Sequence, residues 1–316
     1  MERSTNVAWV FPGQGSQVVG MGRDLVDVSE AARRVFERAD AALGEPLSKL
    51  CFEGPMEELT LTANTQPALV AVSMALVAAI RERIPDMLPP RFAAGHSLGE
   101  YSALAAAGAL ELEDAVRICR LRGAAMQAAV PAGEGAMAAV MGLSGEVVSE
   151  ICAAEAGGEV VSLANYNAPG QIVIAGHAAA VARVSATVAT RQGKAVPLKV
   201  SAPFHCALMR PARERLAPEL ERIEVRPLAF PVIANVDAEP NSDPTRVKEL
   251  LLRQIDGAVL WTSIFERMAA EGITHAFEIG PGKVLSGLGK RIAKSIKVLN
   301  VSDVAGIDAI RSFLEA

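Results

Sequence analysis

One short stretch limits the folds open to this chain more than any other. The apolar run Phe92 to Ala94 breaks into Gly95-His96-Ser97-Leu98-Gly99, and Glu100 to Ala107 then reads as a helix. A strand turning this sharply into a helix needs glycine where the backbone crowds. A G-x-S-x-G turn of that kind lifts its serine to the helix N-terminus, where the dipole and free N–H groups favour developing negative charge. On these residues alone Ser97 is either a nucleophile or merely the cap of the helix that follows.

A serine hydroxyl needs a base to become a nucleophile. The four histidines are His96, His177, His205 and His275. His96 adjoins Ser97 on a tight turn, where neighbouring side chains point apart. His177 follows Gly176 at an expected surface turn, and His275 opens an apolar strand as a structural residue. His205, in Ser201-Ala202-Pro203-Phe204-His205-Cys206, lies at a seam between two parts of the chain, a place from which it can face a cleft.

That seam follows from the element order. Asn6 to Phe11 reads as a short buried strand followed by the turn Pro12-Gly13-Gln14-Gly15-Ser16. Glu30 to Leu43 reads as a helix, as does Gln66 to Arg83 with Pro67 in its first turn. From Ala136 to Val200 the pattern becomes strand (136–142), helix (144–156), strands (160–165 and 171–175), helix (178–192) and strand (195–200). This β-α-β-β-α-β order is that of a ferredoxin-like unit. Strands are then expected at 228–235, 274–279 and 298–301, and helices at 243–254, 261–271 and 306–315. The expected fold class is α/β: an α/β-hydrolase-like body over 1–132 and 201–316, with a ferredoxin-like small subdomain inserted at 133–200.

With 51% hydrophobic but only 4% aromatic residues, the composition suits sheets covered by helices. A net charge of −5 argues against a general nucleic-acid binder. Cys51, Cys119, Cys152 and Cys206 fit no metal or redox spacing and read as free thiols in a reducing compartment. No signal peptide is seen, and no stretch is read as a membrane span; the longest candidate, Pro67 to Ile80, is too short. A cytoplasmic protein is expected, free-standing given its start at Met1 and closing helix, and monomeric.

Several segments together resemble the malonyl-CoA:acyl-carrier-protein transacylases of fatty-acid and polyketide synthesis. They are Phe11-Pro12-Gly13-Gln14-Gly15-Ser16-Gln17, Thr65-Gln66-Pro67-Ala68, Gly95-His96-Ser97-Leu98-Gly99-Glu100, and Arg122-Gly123 before Met126-Gln127. Asn165-Tyr166-Asn167-Ala168-Pro169-Gly170-Gln171, Ser201-Ala202-Pro203-Phe204-His205, Arg253-Gln254 before Trp261, and Glu278-Ile279-Gly280-Pro281-Gly282-Lys283 complete the set. They occur in the family's order and span nearly the whole chain.

The resemblance implies roles. Ser97 matches the acylated nucleophile and His205 its general base. Gln14 and Leu98 match the backbone donors of an oxyanion hole. Gln254 matches the residue whose main-chain carbonyl orients the histidine, although Asp256 leaves a carboxylate triad open in sequence. Arg122 matches the arginine that pairs with the free malonyl carboxylate. Without the resemblance, Arg117, Arg120 and Arg122 would read alike as solvated charges on a helix over 115–129. Gln66, Asn165 and Asn167 match cleft-lining positions. Leu98 and Phe204 go with malonyl in preference to methylmalonyl. The implied reaction is ping-pong transfer from malonyl-CoA, a coenzyme A thioester, to the phosphopantetheine thiol of acyl carrier protein. It needs no metal or other cofactor. The carrier is acidic, so the clusters Lys283, Lys290, Arg291, Lys294, Lys297 and Arg191, Lys194, Lys199 are candidate docking charges, or else ordinary solvated ones. Two rivals are a serine esterase or thioesterase on the same elbow, and a catalytically idle carrier-binding module.

Overall fold

Short apolar runs without polar alternation favour a sheet covered on both faces, and in the structure, a computed structural model describing residues 6–315, they form one. The strands are β1 (Val7–Phe11), β2 (Phe92–Gly95), β3 (Gly135–Met141), β4 (Val161–Ala168), β5 (Gln171–His177), β6 (Lys194–Pro197), β7 (Val232–Ile233), β8 (Pro240–Asn241), β9 (His275–Ile279) and β10 (Lys297–Val301). The larger sheet runs β10-β9-β1-β2-β7-β8. Its pairs from β10 to β7 are parallel, and β8 closes the edge antiparallel to β7.

Successive β1 side chains alternate between two cores, as strand geometry requires. Trp9 and Phe11 pack on one face with residues of the helices Glu30–Leu43, Thr62–Arg83 and Leu112–Ala128. Ala8 and Val10 pack on the other with Trp261, Ile264 and Phe265 of the helix Trp261–Ala270. A parallel sheet with helices on both faces presents its strand C-termini as a common edge, where such folds place their sites. β1 and β2 both end there, at Phe11 and Gly95.

The smaller sheet is antiparallel throughout, in the order β4-β5-β3-β6. The helices Gly145–Glu155 and Ala178–Thr190 cover one face through Val148, Ile151, Val181 and Val184. On the other face Met137, Ala164 and Val173 pack with Cys206 and Phe204, from the segment carrying His205. β4 is also tied to the chain before Trp261, by Tyr166 N–H to Val259 O and Val259 N–H to Ala164 O, both 2.9 Å. The two ends of this segment adjoin: a Cβ on Gly135 would lie 2.5 Å from the Pro203 ring.

Several expectations need correction. The strand expected at 228–235 shrinks to Val232–Ile233. Pro231 has no N–H to donate, and Arg226 and Ala229 instead donate to Ala109 O and Ala107 O. The helix expected from Gln66 begins at Thr62, which puts Pro67 inside it. At 22 residues it is long and apolar enough to cross a bilayer, contrary to the reading that no stretch is; 78% of its apolar window is buried within the protein. The helix expected at 243–254 splits into a 3₁₀ turn Pro244–Arg246 and the helix Val247–Asp256. The closing helix divides into Val304–Asp308 and Ile310–Glu315. The helices Arg210–Arg222 and Val284–Ile292 were not foreseen.

Candidate active site

The turn after β2 leads directly into the helix Gly99–Ala106 and holds Ser97 at φ +53°, a left-handed backbone unusual for a residue with a Cβ. The flanking glycines allow the close approach. A Cβ on Gly95 would run into the Gly99 carbonyl carbon, and one on Gly99 into Phe11 O. Asn235, just past β7, brackets the turn: Ser97 N–H donates to Asn235 Oδ1 at 2.7 Å, and Asn235 Nδ2 donates to Gly95 O at 2.7 Å.

His205 is held at φ +62° in the loop that returns from the smaller sheet. Its Nε2 lies 2.7 Å from Ser97 Oγ, and its Nδ1 lies 2.9 Å from the main-chain oxygen of Gln254. A carbonyl can only accept, so Nδ1 carries the proton and Nε2 is free to take one from serine. Burial, reinforced by the Arg122 charge, pushes the His205 imidazole down to about 3 and keeps it neutral. Asp256, the alternative left open by sequence, points its carboxylate at Arg213 (3.3 Å).

Arg122 comes from the helix Leu112–Ala128 and is 1% exposed. Its Nη1 donates to Gln66 Oε1 at 2.8 Å, and its Nη2 to Gln254 Oε1 at 2.8 Å and Ser97 Oγ at 3.0 Å. No carboxylate lies within ion-pair distance of it among the described residues. Arg120 pairs with Glu45, and Arg117 reaches Asp114 at 3.6 Å. Only Arg122 of the three faces the serine, a distinction their sequence positions do not make.

Gln254 joins the serine, the histidine and the arginine. Beyond the contacts above, its Nε2 donates to Ser97 O at 2.9 Å and to Glu100 Oε2 at 2.8 Å. Glu100 Oε2 also accepts from Asn235 N–H at 3.0 Å. Burial pushes the Glu100 carboxyl up to about 7 against these hydrogen bonds.

Ser97 opens onto a cleft of about 900 Å³, mouth included. Gln14, Gln66, Leu98, Arg122, Asn165, Asn167, Phe204 and His205 all line it, while Gln254 stands behind them. The backbone N–H groups of Gln14 and Leu98 donate to no described protein group. The Gln14 side chain donates to Thr62 Oγ1 (3.2 Å), which in turn meets Ser201 Oγ (3.0 Å). Val284, Leu285 and Leu288 of the unforeseen helix Val284–Ile292 form a further wall. Glu278 fastens its start, accepting from Leu285 N–H at 2.9 Å and Ser286 N–H at 2.8 Å.

None of the other histidines bonds Ser97 Oγ, although His96 also lines the cleft. His96 Nε2 bonds Asn167 Oδ1 at 2.9 Å and its ring stacks edge-on to Trp261. His177 Nδ1 accepts from Val160 N–H, and His275 Nδ1 meets Thr274 Oγ1, both at 2.9 Å. Sequence reasoning gave Asn235 and Glu100 no role. Each carried a signal: a lone amide at the end of an apolar run, and an acid one residue past the elbow.

A family model described as acyl transferase domain matches residues 8–310. The chain is 47% identical over 308 residues to the malonyl CoA-acyl carrier protein transacylase of Haemophilus influenzae, covering 97% of this chain and 98% of that one. It is similar to a crystal structure of an acyl carrier protein S-malonyltransferase from Vibrio cholerae, with TM-score 0.94 and 46% identity over 97% of this chain and 100% of that one. A type II PKS acyl-carrier protein in complex with its malonyl-transacylase gives TM-score 0.92 and 43% identity, over 96% and 98% of the two chains. With its serine, histidine and buried arginine set in this fold, the chain belongs to the malonyl-CoA:acyl-carrier-protein transacylase family of acyltransferases.

Proposed function

We propose that this protein transfers malonyl groups from malonyl-CoA to the phosphopantetheine thiol of acyl carrier protein through a malonyl ester on Ser97. The observation that carries the reading is the placement of Ser97 Oγ between His205 Nε2 at 2.7 Å and Arg122 Nη2 at 3.0 Å. It is a nucleophile with a base on one side and a carboxylate receptor on the other.

In this mechanism the malonyl carboxylate docks on Arg122, whose planar fork offers two charge-assisted hydrogen bonds that a lysine cannot reproduce. Ser97 Oγ attacks the thioester carbon as its proton passes to His205 Nε2. The oxyanion is met by the N–H groups of Gln14 and Leu98. As the intermediate collapses, the C–S bond breaks and the proton passes to the coenzyme A sulfur. The carrier thiol then gives its proton to His205 and attacks the ester, and Ser97 leaves with that proton. Gln254 O holds the imidazole in the working tautomer. Gln66 steadies the guanidinium, and Asn165 and Asn167 line the acyl path. Phe204 fills space that an α-methyl group would need, a preference worth about 1–3 kcal/mol per methyl.

The same reading divides the chain into an α/β-hydrolase-like body, 1–132 and 201–316, and a ferredoxin-like insert, 133–200, acting as a cytoplasmic monomer without a cofactor. The β4-β5-β3-β6 order of the antiparallel sheet supports the ferredoxin-like description. For carrier docking, Lys290 and Lys294 are the charges to reverse, since Arg291 is committed to the Gln171 side chain and Pro169 O. Intact-protein mass spectrometry after mixing with malonyl-CoA tests the proposal. Wild type should gain one malonyl mass and Ser97→Ala none. An equal adduct on both would place the acyl group elsewhere.

A further inference from the structure

We infer that Glu100 is a positioning residue for this reaction, fixing which way the Gln254 side-chain amide faces and so holding Arg122 and His205 in register. The inference rests on the roles proposed above for those two residues.

An amide has one accepting and one donating end, and Gln254 uses both. Its Nε2 donates to Glu100 Oε2 at 2.8 Å and to Ser97 O at 2.9 Å, and its Oε1 accepts from Arg122 Nη2 at 2.8 Å. The reverse orientation would turn N–H groups toward a guanidinium that can only donate, and an oxygen toward two groups that accept. Glu100 makes the observed orientation the favoured one. It is 2% exposed, lies in the first turn of the helix that follows the elbow, and accepts at Oε2 from Asn235 N–H at 3.0 Å as well. One carboxylate oxygen thus joins the Gln254 helix to the asparagine bracketing Ser97. Because the main chain of Gln254 also holds His205 Nδ1 at 2.9 Å, the carboxylate stands one residue removed from the base. In a serine–histidine–acid triad a carboxylate would touch the imidazole itself. Here it acts through an intermediary that binds the arginine as well.

The function needs an accepting oxygen, not a charge. Glu100 also borders a separate small cavity of about 180 Å³ beside Leu104, Val232, Asn241 and Leu250. A glutamine in place of Glu100 has nearly the same size and keeps one accepting oxygen.

The test is steady-state malonyl transfer by Glu100→Met, which keeps volume but removes the acceptor, and by Glu100→Gln, which keeps an acceptor. Each is also made in a Gln254→Ala background, with thermal melting recorded throughout. Glu100→Met should lose about tenfold or more in kcat/KM, the scale of a buried donor left unpaired. Glu100→Gln should stay within about threefold of the parent by the same reasoning. In the Gln254→Ala background, Glu100→Met should add no further loss, because the route runs through Gln254. Full activity in Glu100→Met overturns the inference. So does an equal loss in Glu100→Gln, or an undiminished Glu100→Met effect without Gln254. Should Glu100→Met not fold, a loss beyond about threefold in Glu100→Gln still overturns the inference. Arg122→Ala, run alongside, separates the two levels: if it leaves malonyl transfer intact, the functional reading fails, whereas an active Glu100→Met beside an impaired Arg122→Ala sinks only the role of Glu100.

Discussion

Replacing Arg122 with alanine should change which acyl group the enzyme accepts more than how well it works as an acyltransferase. The guanidinium is 1% exposed, and its three acceptors, Gln66 Oε1, Gln254 Oε1 and Ser97 Oγ, are all uncharged. A malonyl carboxylate arriving there would be the first anion it meets at contact distance. Two hydrogen bonds to a charged group contribute about 1.5–3 kcal/mol each, and truncating one partner of a buried pair costs about 2–5 kcal/mol. A loss of about 3–5 kcal/mol corresponds to a fall of roughly 10²- to 10³-fold or more in kcat/KM for malonyl-CoA. Acetyl-CoA has no carboxylate and should load as before, or faster once the charge is gone. The assay is single-turnover loading of Ser97 from each thioester, read as intact mass. The ratio of the two rates cancels any general damage from leaving the Gln66 and Gln254 oxygens without their donor. If both thioesters lose the same factor, Arg122 serves only to shape the nucleophile, and the argument for a malonyl pocket fails.

Three further outcomes follow from the geometry. Because the His205 imidazole is pushed down to about 3, loading should keep its rate as pH falls through about 6.5, the ordinary imidazole value. Removing the Arg122 charge should move the acid limb upward in pH, measured with acetyl-CoA; a wild-type limb centred on the ordinary value would contradict the buried, neutral base. Gly95→Ala drives its methyl into the Gly99 backbone and should abolish loading or soluble expression, whereas Gly15→Ala, with no atom within 4 Å of its Cβ, should cost only the strain of its φ of +99°, about 1–2 kcal/mol in a melt. Glu278→Ala strips two buried N–H groups at the start of Val284–Ile292 of their acceptor and should lower stability by about 2–4 kcal/mol in denaturant titration.

Much of the site was legible because its chemistry sits in local patterns. Ser97 announces itself by two glycines whose crowding the structure makes plain, and His205 by elimination among the four histidines. The segment Glu30–Leu43 showed its bounds directly, with Ser29 as side-chain cap and Gly44 at the left-handed end. Arg122 was different. Its helix carries Arg117 and Arg120 at similar spacing, and which arginine turns inward depends on the packing of Thr62–Arg83 against Leu112–Ala128. Asn235 and Glu100 meet only across 135 positions of sequence, so no local pattern could pair them. The helix Arg210–Arg222 hid behind its charges and Pro218, though Ala212, Leu216 and Leu220 are buried at fourfold spacing.

The adjacency of Gly135 and Pro203 has a consequence for how such a chain could be remade. Two ends that already touch can be rejoined by a few residues at little entropic cost, since closing a short loop asks less of the chain than closing a long one. None of the strands β1, β2, β7, β8, β9 and β10 lies between those ends. The parallel sheet, the elbow and Arg122 therefore remain on a continuous template if the segment between them is exchanged for that of another member of the family. Such grafts would vary the approach to the serine while keeping its base in place where the new sheet retains the apolar face on which Phe204 and Cys206 pack.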